Sequence, residues 1–183
     1  MDYYIDIKVL PDPEFKETVL LNALFSKLHR ALGQVTEGRV GVSFPDCKKF
    51  LGDRIRLHGT QADLTKLMDA NWLQGLRDYS HQTEIKKIPD KVSYKIVRRI
   101  QAKSVHNKRK RSVAKGWLTE TEAIQKIPDT QQKMLRLPFL QIKSLSNGNA
   151  MRIYVEHSKD LEGAVAGTFT SYGFSSTATV PWF

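Results

Sequence analysis

Tyr3-Tyr4-Ile5-Asp6-Ile7-Lys8-Val9 decides the fold class. Tyr3, Ile5, Ile7 and Val9 alternate with Tyr4, Asp6 and Lys8, the period-two pattern of a half-buried strand. Pro11 and Pro13 close it, because proline has no amide hydrogen to give a sheet. From Glu14 to Leu32 the period changes. Val19, Leu21, Leu24, Phe25, Leu28 and Leu32 line one face of a predicted helix, and Gly33 offers a stop. Val40, Val42 and Phe44 form a second strand ended by Pro45. Ile55 and Leu57 form a third after the turn at Gly52-Asp53. Thr60 caps a second helix bearing Leu64, Leu67 and Met68 and extending through Trp72, Leu73 and Leu76. A fourth strand is expected over residues 84–88. The predicted order is βαββαβ, an α+β fold of ferredoxin-like type, as in RNA-recognition domains. The aromatic sheet motif with which such domains stack bases is missing. Fold alone assigns no function.

A boundary near Pro89-Asp90 divides the chain into residues 1–90 and a mixed α/β part, residues 91–183. The second part reads as a strand over Ser93–Ala102 and a basic helix over Asn107–Lys115. A further helix opens at Thr119, where Glu122 completes a capping box, and ends before Pro128. Strands over Phe139–Lys143 and Met151–Glu156 flank a turn containing Asn147-Gly148. The tail Gly167–Phe183 has further strand character.

The 183 residues suit one domain or two small ones, and 40% of them are hydrophobic, enough for a core. No apolar run is long enough to span a membrane, and the first residues lack a signal peptide's basic and apolar regions. Cys47 is alone, which excludes an internal disulfide and zinc sites built on paired cysteines. A lone cysteine fits a reducing, cytoplasmic setting. Charge is more telling. Lys91 to Thr119 holds ten Lys or Arg and no Asp or Glu, which leaves 19 of each sign in the rest of the chain. A neutral protein with one basic stripe suits a polyanion. A solvated basic linker is the plainer alternative, but Tyr94, Ile96, Val97 and Ile100 are interleaved with the charges, which no linker requires.

Histidines stand at 29, 58, 81, 106 and 157, with no H-x-H or H-x-x-x-H pair and no acidic cluster beside them. The expectation is therefore no metal and no cofactor. RNA can still be cut through its own 2′-hydroxyl, if the protein positions that group, helps remove its proton and stabilises developing charge. Histidine suits the proton step. His29 lies beside Phe25 at the edge of the first helix's apolar face, with Lys27 and Arg30 near in sequence. A purely structural helix histidine is the commoner case. His58 and His157 fall at strand ends. Lys108, Arg109, Lys110, Arg111 and Lys115 span about two helical turns, too many for one narrow stripe, and suit an RNA groove. In a strand, Arg99-x-Gln101 would project from one face, able to read a guanine and an adenine.

Several segments together resemble the CRISPR repeat endoribonuclease of subtype I-F. They include Tyr4-Ile5-Asp6-Ile7, Pro11-Asp12-Pro13-Glu14-Phe15, Lys27-Leu28-His29 and Gly41-Val42-Ser43-Phe44-Pro45. Arg99-Ile100-Gln101-Ala102-Lys103-Ser104, Ile127-Pro128-Asp129-Thr130, Leu137-Pro138-Phe139, Tyr172-Gly173 and Val180-Pro181-Trp182-Phe183 carry it to the end of the chain. The resemblance implies metal-independent cleavage of precursor RNA at the base of a repeat hairpin, with the product retained. His29 would be the general base or proton-transfer residue, Ser144 would constrain the 2′-hydroxyl, and Tyr172 would orient the histidine or the scissile region. Arg99 and Gln101 would read base edges. Lys103, the cations of the basic helix, Ser146, Asn147 and Met151 would contact RNA. The implied partners are the repeat hairpin, as precursor and product, and other subunits of the type I-F surveillance complex. Two departures stand out: lysines share the groove helix with arginines, and Met151 stands where an aromatic could stack on the terminal base pair. The alternatives are a non-catalytic hairpin-binding subunit of a ribonucleoprotein and a DNA-binding module, the latter without a helix-turn-helix signature.

Overall fold

The computed structural model describes residues 1–102, 104–131, 135–143 and 148–183. Contacts group residues 1–99 with 137–183 as one compact unit and residues 100–136 as a second, whereas the sequence reading divides the chain at residue 90. The fold is α+β, with antiparallel sheets. No helix among the described residues is long and apolar enough to cross a membrane.

In the first unit β1 (Tyr3–Val9) is central. It pairs antiparallel with β3 (Arg54–Gly59), Ile5 facing Leu57 and Ile7 facing Ile55. On its other side it pairs with β4 (Ser80–Gln82) and β5 (Lys86–Lys87), so the expected fourth strand is two short pieces. With β2 (Gly41–Ser43) beside β3, the hydrogen-bonded order is β2-β3-β1-β4. Ile5, Ile7 and Val9 enter the core as the alternation requires. The opposite face of β1 is covered in part, at Tyr4 and Asp6 but not at Lys8. Asp6 is buried because Arg56 grips it through two bonds, Nε–Oδ1 2.7 Å and Nη2–Oδ2 2.9 Å. The Arg56 guanidinium in turn lies over the rings of Tyr4 and Phe183.

Helix α1 runs over Glu17–Val35, starting and ending three residues later than expected. The start is delayed because Asp12 accepts the amides of Glu14 and Phe15 in a turn. Gly33 is not the stop. A helix-interior glycine costs only about 1 kcal/mol against alanine, and Leu32 is buried beside it. The helix ends where Glu37 and Gly38 turn to positive φ, 51° and 77°. Val19 lies outside the core at 51% exposure, while Leu20 and Ala31 join Leu21, Leu24, Phe25, Leu28 and Leu32 within it. Thr60 caps α2 (Gln61–Asp69) by accepting the Asp63 amide. That helix stops before Trp72, since Asn71 takes a positive φ of 50°.

The expected strand over Ser93–Ala102 is broken at Ile96, whose amide and carbonyl both engage Ser158. Its halves serve different sheets. β6 (Ser93–Lys95) pairs with β10 (Val180–Trp182), and β7 (Val97–Ile100) joins β9 (Ala150–His157), which also pairs with β8 (Phe139–Lys143).

The second unit holds α3 (Val105–Ala114) and α4 (Glu120–Lys126). Ser104 caps α3 through the Asn107 amide, and Thr119 with Glu122 forms the expected capping box. Val105 and Ala123 are its buried apolar side chains.

Candidate active site

His29 lies on α1 one turn after Phe25, at the margin of the helix's buried face. It is half-buried, and that burial, followed by the charge of Arg30, lowers its pKa below the usual histidine value. The shift favours the neutral imidazole, the form that accepts a proton. Tyr172 stacks on it with ring centroids 5.2 Å apart and planes 26° apart. On the same tyrosine lie Phe25, nearly parallel at 6.3 Å, and the Arg99 guanidinium, 5.1 Å from the ring centroid. Residues separated by more than 140 positions in sequence thus form one column.

A tight turn delivers Tyr172 to this place. Within residues 170–174, the Gly173 amide donates to Thr170 and the Thr170 amide donates to Phe174. Gly173 itself accepts from the Val42 amide on β2. Its φ is +72°, and a Cβ there would stand 2.1 Å from a Val42 methyl carbon, so only glycine allows this approach. Phe174, next in the chain, is buried against Phe25 and Phe44. The orientation of Tyr172 therefore depends on both a strained turn and an aromatic core.

The remaining histidines differ in kind. His58 is fully buried on β3, bonds Ser43 at 2.8 Å, and has its pKa lowered to about 3 by burial. His157 accepts the Phe44 amide at 3.3 Å and packs on Trp182; burial, then Lys95, lowers its pKa to about 4. Both are interior groups held neutral. His81 and His106 are exposed.

Arg99 is on β7, half-buried, and its Nε has no hydrogen-bond partner among the described residues. Gln101 falls beyond the end of β7, so strand alternation does not put it on the face of Arg99. Ser144, Ser146, Asn147 and Lys103 lie outside the described residues. Met151 faces Ile142 across β8 and β9 and packs partly buried against the core. In α3, Arg109 is engaged within its own unit, donating to the Ile127 carbonyl at 2.7 Å and pairing with Asp129 at 3.0 Å. Lys108, Lys110 and Arg111 make no ion pair among the described residues. Lys115 lies over the Trp117 ring.

Sequence reasoning missed the supports. Phe25 and Gly173 hold the tyrosine. Asn22, two turns before His29, accepts the Gln141 amide of β8 at 2.8 Å and ties that edge strand to α1. No local pattern marks such long-range partners. Among the described residues no three His, Cys, Asp or Glu side chains are grouped to hold a metal ion.

A family model described as CRISPR-associated protein (Cas_Csy4) matches residues 4–183. The chain belongs to the Csy4 family. It is 44% identical over 184 residues to a protein of Escherichia coli strain UTI89 named CRISPR-associated endonuclease Cas6/Csy4, with both chains covered in full. A protein of the same name from Pseudomonas aeruginosa strain UCBPP-PA14 is 42% identical over 187 residues, again with both covered in full. Csy4 family membership thus extends over both compact units, the basic helix included.

Proposed function

We propose that this chain is the endoribonuclease that cuts CRISPR precursor RNA at the base of the repeat hairpin and keeps the mature RNA bound. The observation that carries the reading is the stacked pair of His29 and Tyr172, set in a chain similar over its full length to two CRISPR-associated endonucleases. The ferredoxin-like reading of the first sheet is supported by its order, β2-β3-β1-β4, with α1 and α2 following β1 and β3.

The reaction is metal-independent transesterification. The 2′-oxygen attacks the adjacent phosphorus as its proton passes to neutral His29. The 5′-oxygen leaves and takes a proton from solvent, and a 2′,3′-cyclic phosphate remains. Tyr172 holds the imidazole plane by stacking, which removes the rotational freedom that would dilute the reactive pose. Ser144 constrains the attacking hydroxyl. Arg99 and Gln101 read base edges at the foot of the stem. Lys103, Lys108, Lys110, Arg111 and Lys115 contact phosphates, with Ser146, Asn147 and Met151 near the stem end. Arg109, already engaged by Ile127 and Asp129, shapes the second unit more than it meets RNA. The protein acts in the cytoplasm beside the other subunits of the type I-F complex.

The test is cleavage of a labelled repeat hairpin in excess EDTA, beside the same RNA with deoxyribose 5′ of the scissile phosphate. Cutting of the first and not the second is expected. Tight binding without cutting would instead make this a hairpin-binding scaffold and His29 a structural residue.

A further inference from the structure

The second unit contains an exposed indole that the proposed cleavage reaction does not use. α3 ends in a Schellman motif: the Gly116 amide donates to Val113 and the Trp117 amide to Ser112, with Gly116 at φ +67°. The residue at the Trp117 position of this motif ordinarily packs an apolar side chain on the helix residue five positions earlier. Here that residue is Ser112, with Arg111 before it, so the indole has no apolar partner on the helix. Trp117 is accordingly 67% exposed, while Trp72 is 7% exposed. Its backbone is fixed by the two motif bonds, which holds the indole's point of attachment in place. It borders a groove of about 620 Å³ shared with Lys108, Lys110, Arg111 and Ile127, and the Lys115 ammonium lies 4.4 Å from its ring centroid.

An exposed, positioned aromatic ringed by cations, with no carboxylate lining its groove, has the chemistry of a single-stranded nucleic-acid platform. We propose that Trp117 stacks an unpaired base of the bound RNA, outside the stem, while Lys115 and the α3 cations hold the flanking phosphates. This rests on the reading of the chain as a hairpin-RNA endonuclease and adds a second contact class to it. Bases stacked within the stem present no free face to an indole, so the site would recognise an unpaired loop or flanking nucleotide. It would do so with little sequence preference, since every base has a π-face.

The test uses the full chain and a cleavage-resistant hairpin, deoxy at the nucleotide 5′ of the scissile phosphate, carrying its loop and single-stranded flanks. Trp117→Ala is expected to weaken binding roughly 5- to 150-fold, the span of base–aromatic stacking, and Trp117→Phe to restore most of it. In the wild type, one abasic substitution among the unpaired nucleotides should reproduce the loss, and Trp117→Ala should be indifferent to that substitution. Single-turnover cleavage of the all-ribose RNA at saturating protein should not change. Wild-type affinity in Trp117→Ala, or a loss that no abasic position reproduces, overturns the platform and leaves the nuclease reading intact. The same holds if Trp117→Ala loses a protein contact and not an RNA one. Failure of the wild type to bind or cut the hairpin removes both readings together.

Discussion

His29 stands on a helix that buries Leu20, Leu21, Leu24, Phe25, Leu28 and Leu32, whereas α3, with its four cations, buries only Val105. At about 1.5–3 kcal/mol for each large apolar side chain removed from water, α1 is anchored by about six times the burial of α3. The contrast matches the two tasks proposed for these helices. Moving a proton needs an imidazole held to fractions of an ångström, which only a packed core and an unyielding turn supply. Meeting a phosphate backbone needs charge near a flexible polyanion, which long solvated side chains supply without fixed geometry. The helix that carries charge can therefore be marginal, while the helix that carries chemistry cannot.

The largest effect should come from the rigid side of this comparison. His29→Ala is expected to slow cleavage by roughly 10²–10⁴-fold while hairpin affinity, measured on a deoxy-blocked substrate, stays within a factor of about two. A parallel loss of affinity would mean that the residue holds the structure or the RNA. Next in size is the response to acid. His58 and His157 are neutral in the folded chain down to about pH 3 and about pH 4. In the unfolded chain they take up protons below about pH 6.5. Below that value the unfolded state binds more protons, so their contribution to stability is full above pH 6.5 and falls with pH through this window. By pH 5 the loss should reach about 2 kcal/mol for each histidine. Urea midpoints at pH 7 and pH 5 measure it, before the carboxylates titrate, and a flat profile would show that these imidazoles reach water. Smaller again is Gly173→Ala, expected to cost about 3 kcal/mol from the left-handed backbone and the clash with Val42. An unchanged unfolding midpoint there would mean that the Tyr172 turn is loose, and the comparison would collapse.

The two regions were also unequally legible. α3 could be read locally from its acid-free run, although it starts at Val105 and not at the expected Asn107, and α4 from its capping box. So could β1, whose bounds match the alternation, and the edge placement of His29, since one helical wheel contains Phe25 and His29 together. Tyr172 could not be paired with His29 by any such pattern. Their contact depends on Gly173 meeting Val42 and on Phe174 entering the core, neither visible without the fold. Resemblance to a family supplied the pairing that periodicity lacked. Asp6 misled in a different way. A charged residue on the outward face of a strand reads as solvated, and only Arg56, fifty residues on, turns that face into a second interior. The break at Ile96 was invisible for the same reason, because Ser158 makes it.

The smallest effects separate the cations of α3 from one another. Lys108→Ala, Lys110→Ala and Arg111→Ala should each weaken hairpin binding modestly and flatten the dependence of log affinity on log salt by about 0.7–0.9. Arg109→Ala should behave otherwise. Its guanidinium ties the end of α4 through the Ile127 carbonyl and Asp129, so its loss should loosen residues 100–136 and leave the salt slope nearly unchanged. Amide exchange across α4 and a salt titration of binding distinguish the two cases. If Arg109→Ala flattened the slope as the lysine variants do, the ion pair with Asp129 would be one that RNA displaces. The second unit would then owe part of its shape to the bound polyanion, beside the packing of Val105 and Ala123.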